Sequence, residues 1–171
     1  MGSRYDIRVK IRTVALRHEG GQRFVGQTGT GRSIGFGEAA TANEYSPVES
    51  IVASLAACTA MDVIAILEKK RQVVDRYEVE ARAEQRSEYP QVLTLVEVTH
   101  IVEGTVVLEQ AVRRAIELSA TKYCPVNAML SAGATEVHHR FRMRCTGLEP
   151  KEAEGEVIVT GPFRRPDILP G

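Results

Sequence analysis

The chain has 171 residues, 43% of them hydrophobic and 26% charged, which is enough for a substantial core without disulfide staples. Lys+Arg and Asp+Glu each count 22, and no basic run exceeds Lys69-Lys70-Arg71, so no nucleic-acid partner is expected. Ser50, Ser54, Thr59 and Asp62 interrupt the longest weakly polar stretch, and no basic-then-apolar signal opens the chain, so a soluble, cytoplasmic protein with no membrane partner is expected.

Tyr5, Ile7, Val9 and Ile11 alternate with Asp6, Arg8, Lys10 and Arg12, which predicts a first strand with one wet face. Glycines at 20, 21, 26, 29, 31, 35 and 37 punctuate two short strand candidates, 22–27 and 32–36, the pattern of a hairpin-rich meander. After a polar connection over 41–45, Ser46-Pro47-Val48-Glu49 carries three helix-start signals: an N-cap hydroxyl, proline at the first helical position, and a glutamate able to close a capping box. This helix is expected to run to about residue 71, where Lys69, Lys70 and Arg71 suit the negative end of its dipole. Its first five turns are nearly apolar all round, which predicts a central, buried helix.

Strands are expected over 77–82 and 92–101, separated by a turn at Glu88-Tyr89-Pro90. A second, amphipathic helix spans roughly 108–121, with Leu108, Ala111, Val112, Ala115, Ile116 and Leu118 on its apolar stripe. Pro125 starts a short helix ending near Gly133. In 135–145, Val137, His139, Phe141, Met143 and Cys145 share one strand face. The charged stretch 149–156 reads as a loop, 157–160 as an edge strand, and Pro162, Pro166 and Pro170 as a stiff tail. The order of elements is that of an α+β fold with mostly antiparallel sheet. We place the main domain over 1–147 and a C-terminal extension over 148–171.

Three scattered cysteines give neither a disulfide framework nor the Cys/His spacing of structural zinc. Cys58 shares a helix stripe with Ile51, Leu55 and Asp62. The bland account is a small hydrophobe in a core. Asp62 disturbs it, because a carboxylate in an apolar helix needs a partner or a wet pocket. Mid-helix and next to a carboxylate, a reactive Cys58 requires a cation from elsewhere in the chain. Cys124 precedes Pro125, at or beside an N-cap whose free N–H groups favour a thiolate, so local sequence makes it the more acidic thiol. Plain packing is the competing account of Cys124 and the leading one for Cys145.

Ser46-Pro47-x-Glu49, Leu55-Ala56-Ala57-Cys58-Thr59-Ala60-Met61-Asp62, and Leu118-Ser119-x-x-Lys122-Tyr123-Cys124-Pro125-Val126 together resemble the OsmC/Ohr family of organic hydroperoxide reductases. The resemblance implies antiparallel sheets wrapped around long central helices in an intertwined homodimer. It implies a peroxidase cycle in which Cys58 attacks an organic hydroperoxide, Cys124 condenses with the resulting sulfenic acid, and an external dithiol reduces the disulfide. No resident cofactor or metal is implied, and the role is oxidative stress defence. The family pattern has a glutamate directly after the proline, paired with a catalytic arginine. Here Val48 holds that place and Glu49 follows, so Glu49 is the candidate for the role, with Arg17 or Arg23 as the arginine. The Cys58-Thr59-x-x-Asp62 pattern is closer to a less characterised branch than to the classical reductases. The rival expectations are a non-catalytic small-molecule binding protein on this fold, or another thiol chemistry on it.

Overall fold

The computed structural model describes residues 10–37 and 44–162, which fall into two compact units, one ending at Ser50 and the other starting at Ile51. The expected strand at Tyr5–Ile11 lies almost wholly outside the described residues.

The first unit is a small sheet in the order β1-β2-β3-β4. Strands β1 (Val14–Gly20) and β2 (Arg23–Thr28) form an antiparallel hairpin. Gly20 and Gly21, at φ +101° and +56°, supply the left-handed backbone that its tight turn needs. Strand β3 (Ser33–Phe36) pairs antiparallel with β2, and β4 (Glu44–Tyr45) pairs parallel with β3.

Helix α1 (Pro47–Lys69) starts as its capping box predicts. The Glu49 N–H donates to Ser46 Oγ at 3.1 Å, and the Ser46 N–H donates to Glu49 Oε2 at 2.9 Å. The expectation of all-round burial needs correction for the chain by itself. One stripe at four-residue spacing, Leu55, Thr59, Val63 and Leu67, is buried, whereas Met61 is 72% exposed. Composition reports how apolar a helix is, and only the packing partners decide which faces close.

The second unit's sheet has the order β5-β6-β7-β8. Strands β5 (Val73–Gln85) and β6 (Leu93–Val106) form a long antiparallel pair, both extending well past the expected limits. Helix α2 (Glu109–Leu118), a π-helical turn (Ser119–Tyr123) and helix α3 (Pro125–Ser131) then carry the chain over to β7 (Glu136–Cys145), which pairs parallel with β6. A parallel neighbour needs such a crossover, so each sheet is mixed rather than purely antiparallel. Strand β8 (Lys151–Thr160) pairs antiparallel with β7, so residues assigned to a loop over 149–156 are mostly strand.

One face of this sheet is dry. Val96, Val98, His100 and Val102 of β6 and Val137, His139, Phe141 and Met143 of β7 are buried at alternate positions. Helix α2 lays Ala111, Val112, Ala115 and Ile116 on it, and α1 adds Val63 and Leu67 to the same core. On the wet face Arg140 and Arg144 of β7 pair with Glu97 and Glu103 of β6, and Arg142 reaches across β6 to Glu80 of β5. Such exposed pairs add little stability. Gly104 sits at a tight backbone approach: a Cβ there would lie 2.0 Å from the Val73 carbonyl oxygen.

Candidate functional site

Cys58 and Asp62 lie four residues apart on α1, beside the buried stripe and half-buried themselves. Cys124 arrives from the other side as the N-cap of α3. The π-helical turn before it takes up the slack, with the Cys124 N–H donating to Ser119 O at 2.9 Å. The result brings the two sulfurs and an Asp62 carboxylate oxygen all within 4.8 Å of one another. No disulfide joins them, and among the described residues these three side chains form a group whose ligand atoms could hold a metal ion.

Ser119 orients the carboxylate. Its hydroxyl donates to Asp62 Oδ2 at 2.9 Å. A serine has one hydroxyl proton and a carboxylate can only accept, so in the 3.1 Å contact between Ser119 Oγ and Thr59 Oγ1 the proton comes from Thr59. Both hydroxyls are fully buried. Asp62 thus has the partner that its place in an apolar helix demands, and that partner is neutral.

Cys124 sits as predicted but titrates the other way. Its Sγ accepts the Asn127 N–H at 3.3 Å, the N-cap contact that favours a thiolate. Burial outweighs it, with the Cys58 thiol alongside as a second cause, and the Cys124 pKa is pushed up to about 12. The expectation that Cys124 is the more acidic thiol is therefore corrected: local sequence shows the cap and not the desolvation. Cys145 is half-buried beside the core, and backbone N–H groups of Val107 and Gly147 hold its pKa below the usual thiol value.

Behind Cys124 lies a buried polar chain that sequence reading missed. Asn127 Nδ2 donates to Ala120 O at 2.8 Å and to Thr160 Oγ1 at 3.2 Å, which leaves Asn127 Oδ1 to accept from His139 Nε2 at 3.0 Å. His139 is therefore the Nε2–H tautomer. Its ring stacks on His100 at 6.0 Å, and His100 Nδ1 meets the Tyr77 hydroxyl at 2.7 Å. His100 Nε2 and His139 Nδ1 are buried with no hydrogen-bond partner among the described residues. Burial, and then the neighbouring histidine in each case, lowers the pKa of His100 to about 3 and of His139 to about 4. Burial, reinforced by the Asp62 charge, raises that of Tyr77. The one signal in the sequence was a histidine on an otherwise apolar strand face.

The other site candidates lie in the first unit or at its end. Glu49 is engaged by Ser46, and this contact lowers its pKa. Arg23 Nε and Nη2 both donate to Glu44 Oε1, at 2.9 and 2.6 Å, and Arg17 pairs with Glu19 at 2.9 Å.

Comparison with known proteins places this chain in a family. The family model described as "OsmC-like protein" matches residues 40–154, a span holding both cysteines and Asp62. Protein YhfA of Escherichia coli K12 is 36% identical over 118 residues, covering 69% of this chain and 88% of its own length. Among solved structures, a hypothetical protein from Aquifex aeolicus shares 27% identity with a TM-score of 0.69, covering 79% of this chain and 98% of that one. The organic hydroperoxide resistance protein OhrB of Bacillus subtilis shares the fold, with a TM-score of 0.54 at 15% identity, over 77% of this chain and 98% of its own. The 36% identity to YhfA is in keeping with a less characterised branch of the family. With the family model covering most of its length, this chain belongs to the OsmC-like protein family.

Proposed function

We propose that this protein is a thiol-dependent peroxidase that reduces organic hydroperoxides in oxidative stress defence. The observation that carries the reading is the approach of the Cys58 and Cys124 sulfurs to within 4.8 Å, from different elements and with no bond between them. Cys58 is the less buried of the two and the one a hydroperoxide reaches. Its thiolate attacks the outer oxygen of ROOH, the O–O bond breaks, and the alkoxide leaves with a proton as ROH. The Cys124 sulfur then attacks the Cys58 sulfenic acid. An S–S bond forms, hydroxide leaves, and the Cys124 proton converts it to water. Cys124 holds its proton at neutral pH, so this step calls for a base, and the Asp62 carboxylate stands within reach of both sulfurs. An external dithiol returns the pair to the reduced state by exchange.

A homodimer belongs to the same proposal. Helix α1 is long and apolar enough by composition to cross a membrane, yet it carries Asp62 and packs Val63 and Leu67 into the core. Ile51 and Met61 remain open on its other faces, and a second copy of this helix is the cover that fits a cytoplasmic protein.

Replacing Cys58 with serine tests the chemistry. The reading expects this variant to lose hydroperoxide consumption in the presence of dithiothreitol; full turnover by it contradicts the reading. A second reading, a binding protein that keeps the fold without the chemistry, is favoured by the engagement of Glu49, Arg23 and Arg17 with other partners. It expects Cys58 to react with peroxide no faster than a free thiol does. Reaction with disulfides but not with hydroperoxides would instead point to thiol exchange.

A further inference from the structure

We infer that Cys58, Cys124 and Asp62 in the reduced protein form a binding site for a thiophilic divalent cation of the zinc class, built from two thiolates and one carboxylate. The inference does not depend on peroxidase activity. It starts from the donor set. Two cysteine sulfurs and a carboxylate oxygen converge within 4.8 Å, drawn from two separate elements. Metal–sulfur bonds of about 2.3 Å and metal–oxygen bonds of about 2.0–2.2 Å put tetrahedral ligand atoms roughly 3.5–3.8 Å apart. The three groups therefore close on an ion with small side-chain adjustments. Sulfur-rich donors select zinc-like ions over magnesium or calcium.

The surroundings supply two features that an isolated cluster would lack. Ser119 donates to Asp62 Oδ2 and is itself held by Thr59, which fixes the carboxylate as outer partners fix metal ligands. The Asn127 N–H aims at Cys124 Sγ, a hydrogen bond that favours a thiolate, and Asn127 is in turn fixed by Ala120, Thr160 and His139. The carboxylate's hydrogen bond from Ser119 is uncharged, so its negative charge remains for a cation. Three protein ligands leave one tetrahedral position open, as in catalytic rather than structural zinc sites. Binding displaces the protons of both thiols to solvent. Formation of a Cys58–Cys124 disulfide removes both thiolates, so the same oxidation that consumes the pair expels the ion.

The test uses the full-length protein, reduced, freed of metal with a chelator, and titrated with Co2+ as a spectroscopic stand-in. The expected result is one equivalent bound with a near-ultraviolet thiolate-to-cobalt charge-transfer band and the strong visible bands of a tetrahedral ion, both bleached by one equivalent of Zn2+. Cys58→Ser and Cys124→Ser should abolish the charge-transfer band or halve it and weaken binding, Asp62→Asn should weaken Co2+ binding at least about tenfold, and Cys145→Ser should change nothing. Should a variant fail to fold, wild-type melting serves instead: Zn2+ should raise the melting temperature of the reduced protein and not of the disulfide form. Absence of the charge-transfer band, a spectrum untouched by Cys58→Ser, unchanged affinity in Asp62→Asn, or equal Zn2+ stabilisation of both redox forms would overturn the inference. Hydroperoxide consumption by the metal-free protein is measured in parallel. Activity without a cobalt complex sinks this inference and leaves the peroxidase reading standing; a cobalt complex on protein inert to peroxide does the reverse.

Discussion

The buried pair His100 and His139 should make this fold lose stability in mild acid. Both are neutral in the folded state, with pKa values lowered to about 3 and about 4, against about 6.5 in an unfolded chain. The groups facing them are the Tyr77 hydroxyl on His100, the Asn127 amide on His139, and each other, with His138 the further charge acting on His139. These are depressed values, so the stability they contribute is complete above about pH 6.5 and is lost as pH falls toward the folded values, because only the unfolded chain takes up protons in that window. Each histidine costs about 1.4 kcal/mol per pH unit there, so the pair costs about 3 kcal/mol per pH unit. Between about pH 6.5 and about pH 4.5 the loss sums to about 4 kcal/mol, a large share of the roughly 5–15 kcal/mol that holds a typical domain together. Urea unfolding at a fixed protein concentration across that range measures it. The double variant Tyr77→Phe/His100→Leu removes both partners of one hydrogen bond together, which limits the cost of the change, and should show about half the slope. The reasoning fails if the wild-type slope is flat through this window or if the double variant keeps all of it.

Gly104→Ala should lower stability by about 1–3 kcal/mol or more, seen as an earlier thermal melt, because the added methyl meets the Val73 carbonyl oxygen and backbone cannot step aside as a side chain can. Ser119→Ala should cost about 1–3 kcal/mol by leaving the Asp62 carboxylate without its donor, and should also slow disulfide formation measured by quenched-flow thiol trapping; unchanged stability would mean that Asp62 is solvated by other means. Cys124→Ser should consume no more than one equivalent of hydroperoxide unless an added thiol reduces the Cys58 sulfenic acid, which dimedone labelling and mass spectrometry would detect.

Where a signal is local, the sequence was enough to read the structure. Ser46-Pro47-Val48-Glu49 predicted both where α1 begins and the reciprocal bonds that begin it. Pro125 predicted α3 and the cap at Cys124. The alternation in β7 put His139 on the dry face beside Phe141 and Met143. Where the physics is non-local, it was not legible. The N-cap at Cys124 argues for an acidic thiol, and only its burial, known once α1 packs beside it, reverses the sign. Strand β8 hid behind Lys151, Glu152, Glu154 and Glu156, whose charges suggested a loop; Ala153 and Gly155 are the small residues that alternate with them on an edge strand. Tyr77, His100, His139 and Asn127 come from four elements, and no spacing rule joins them before the sheet forms. The π-helical turn that brings Cys124 back toward α1 likewise leaves no mark in the periodicity of α2.

The central claim is that Cys58 and Cys124 act as one redox pair, and it is most directly tested by peptide mapping under non-reducing conditions after one equivalent of cumene hydroperoxide is added to the reduced protein. The account predicts a Cys58–Cys124 cross-linked peptide, formed within seconds, with Cys145 still a free thiol. All three cysteines recovered as thiols from folded protein, or a cross-link that bypasses Cys58, would contradict it.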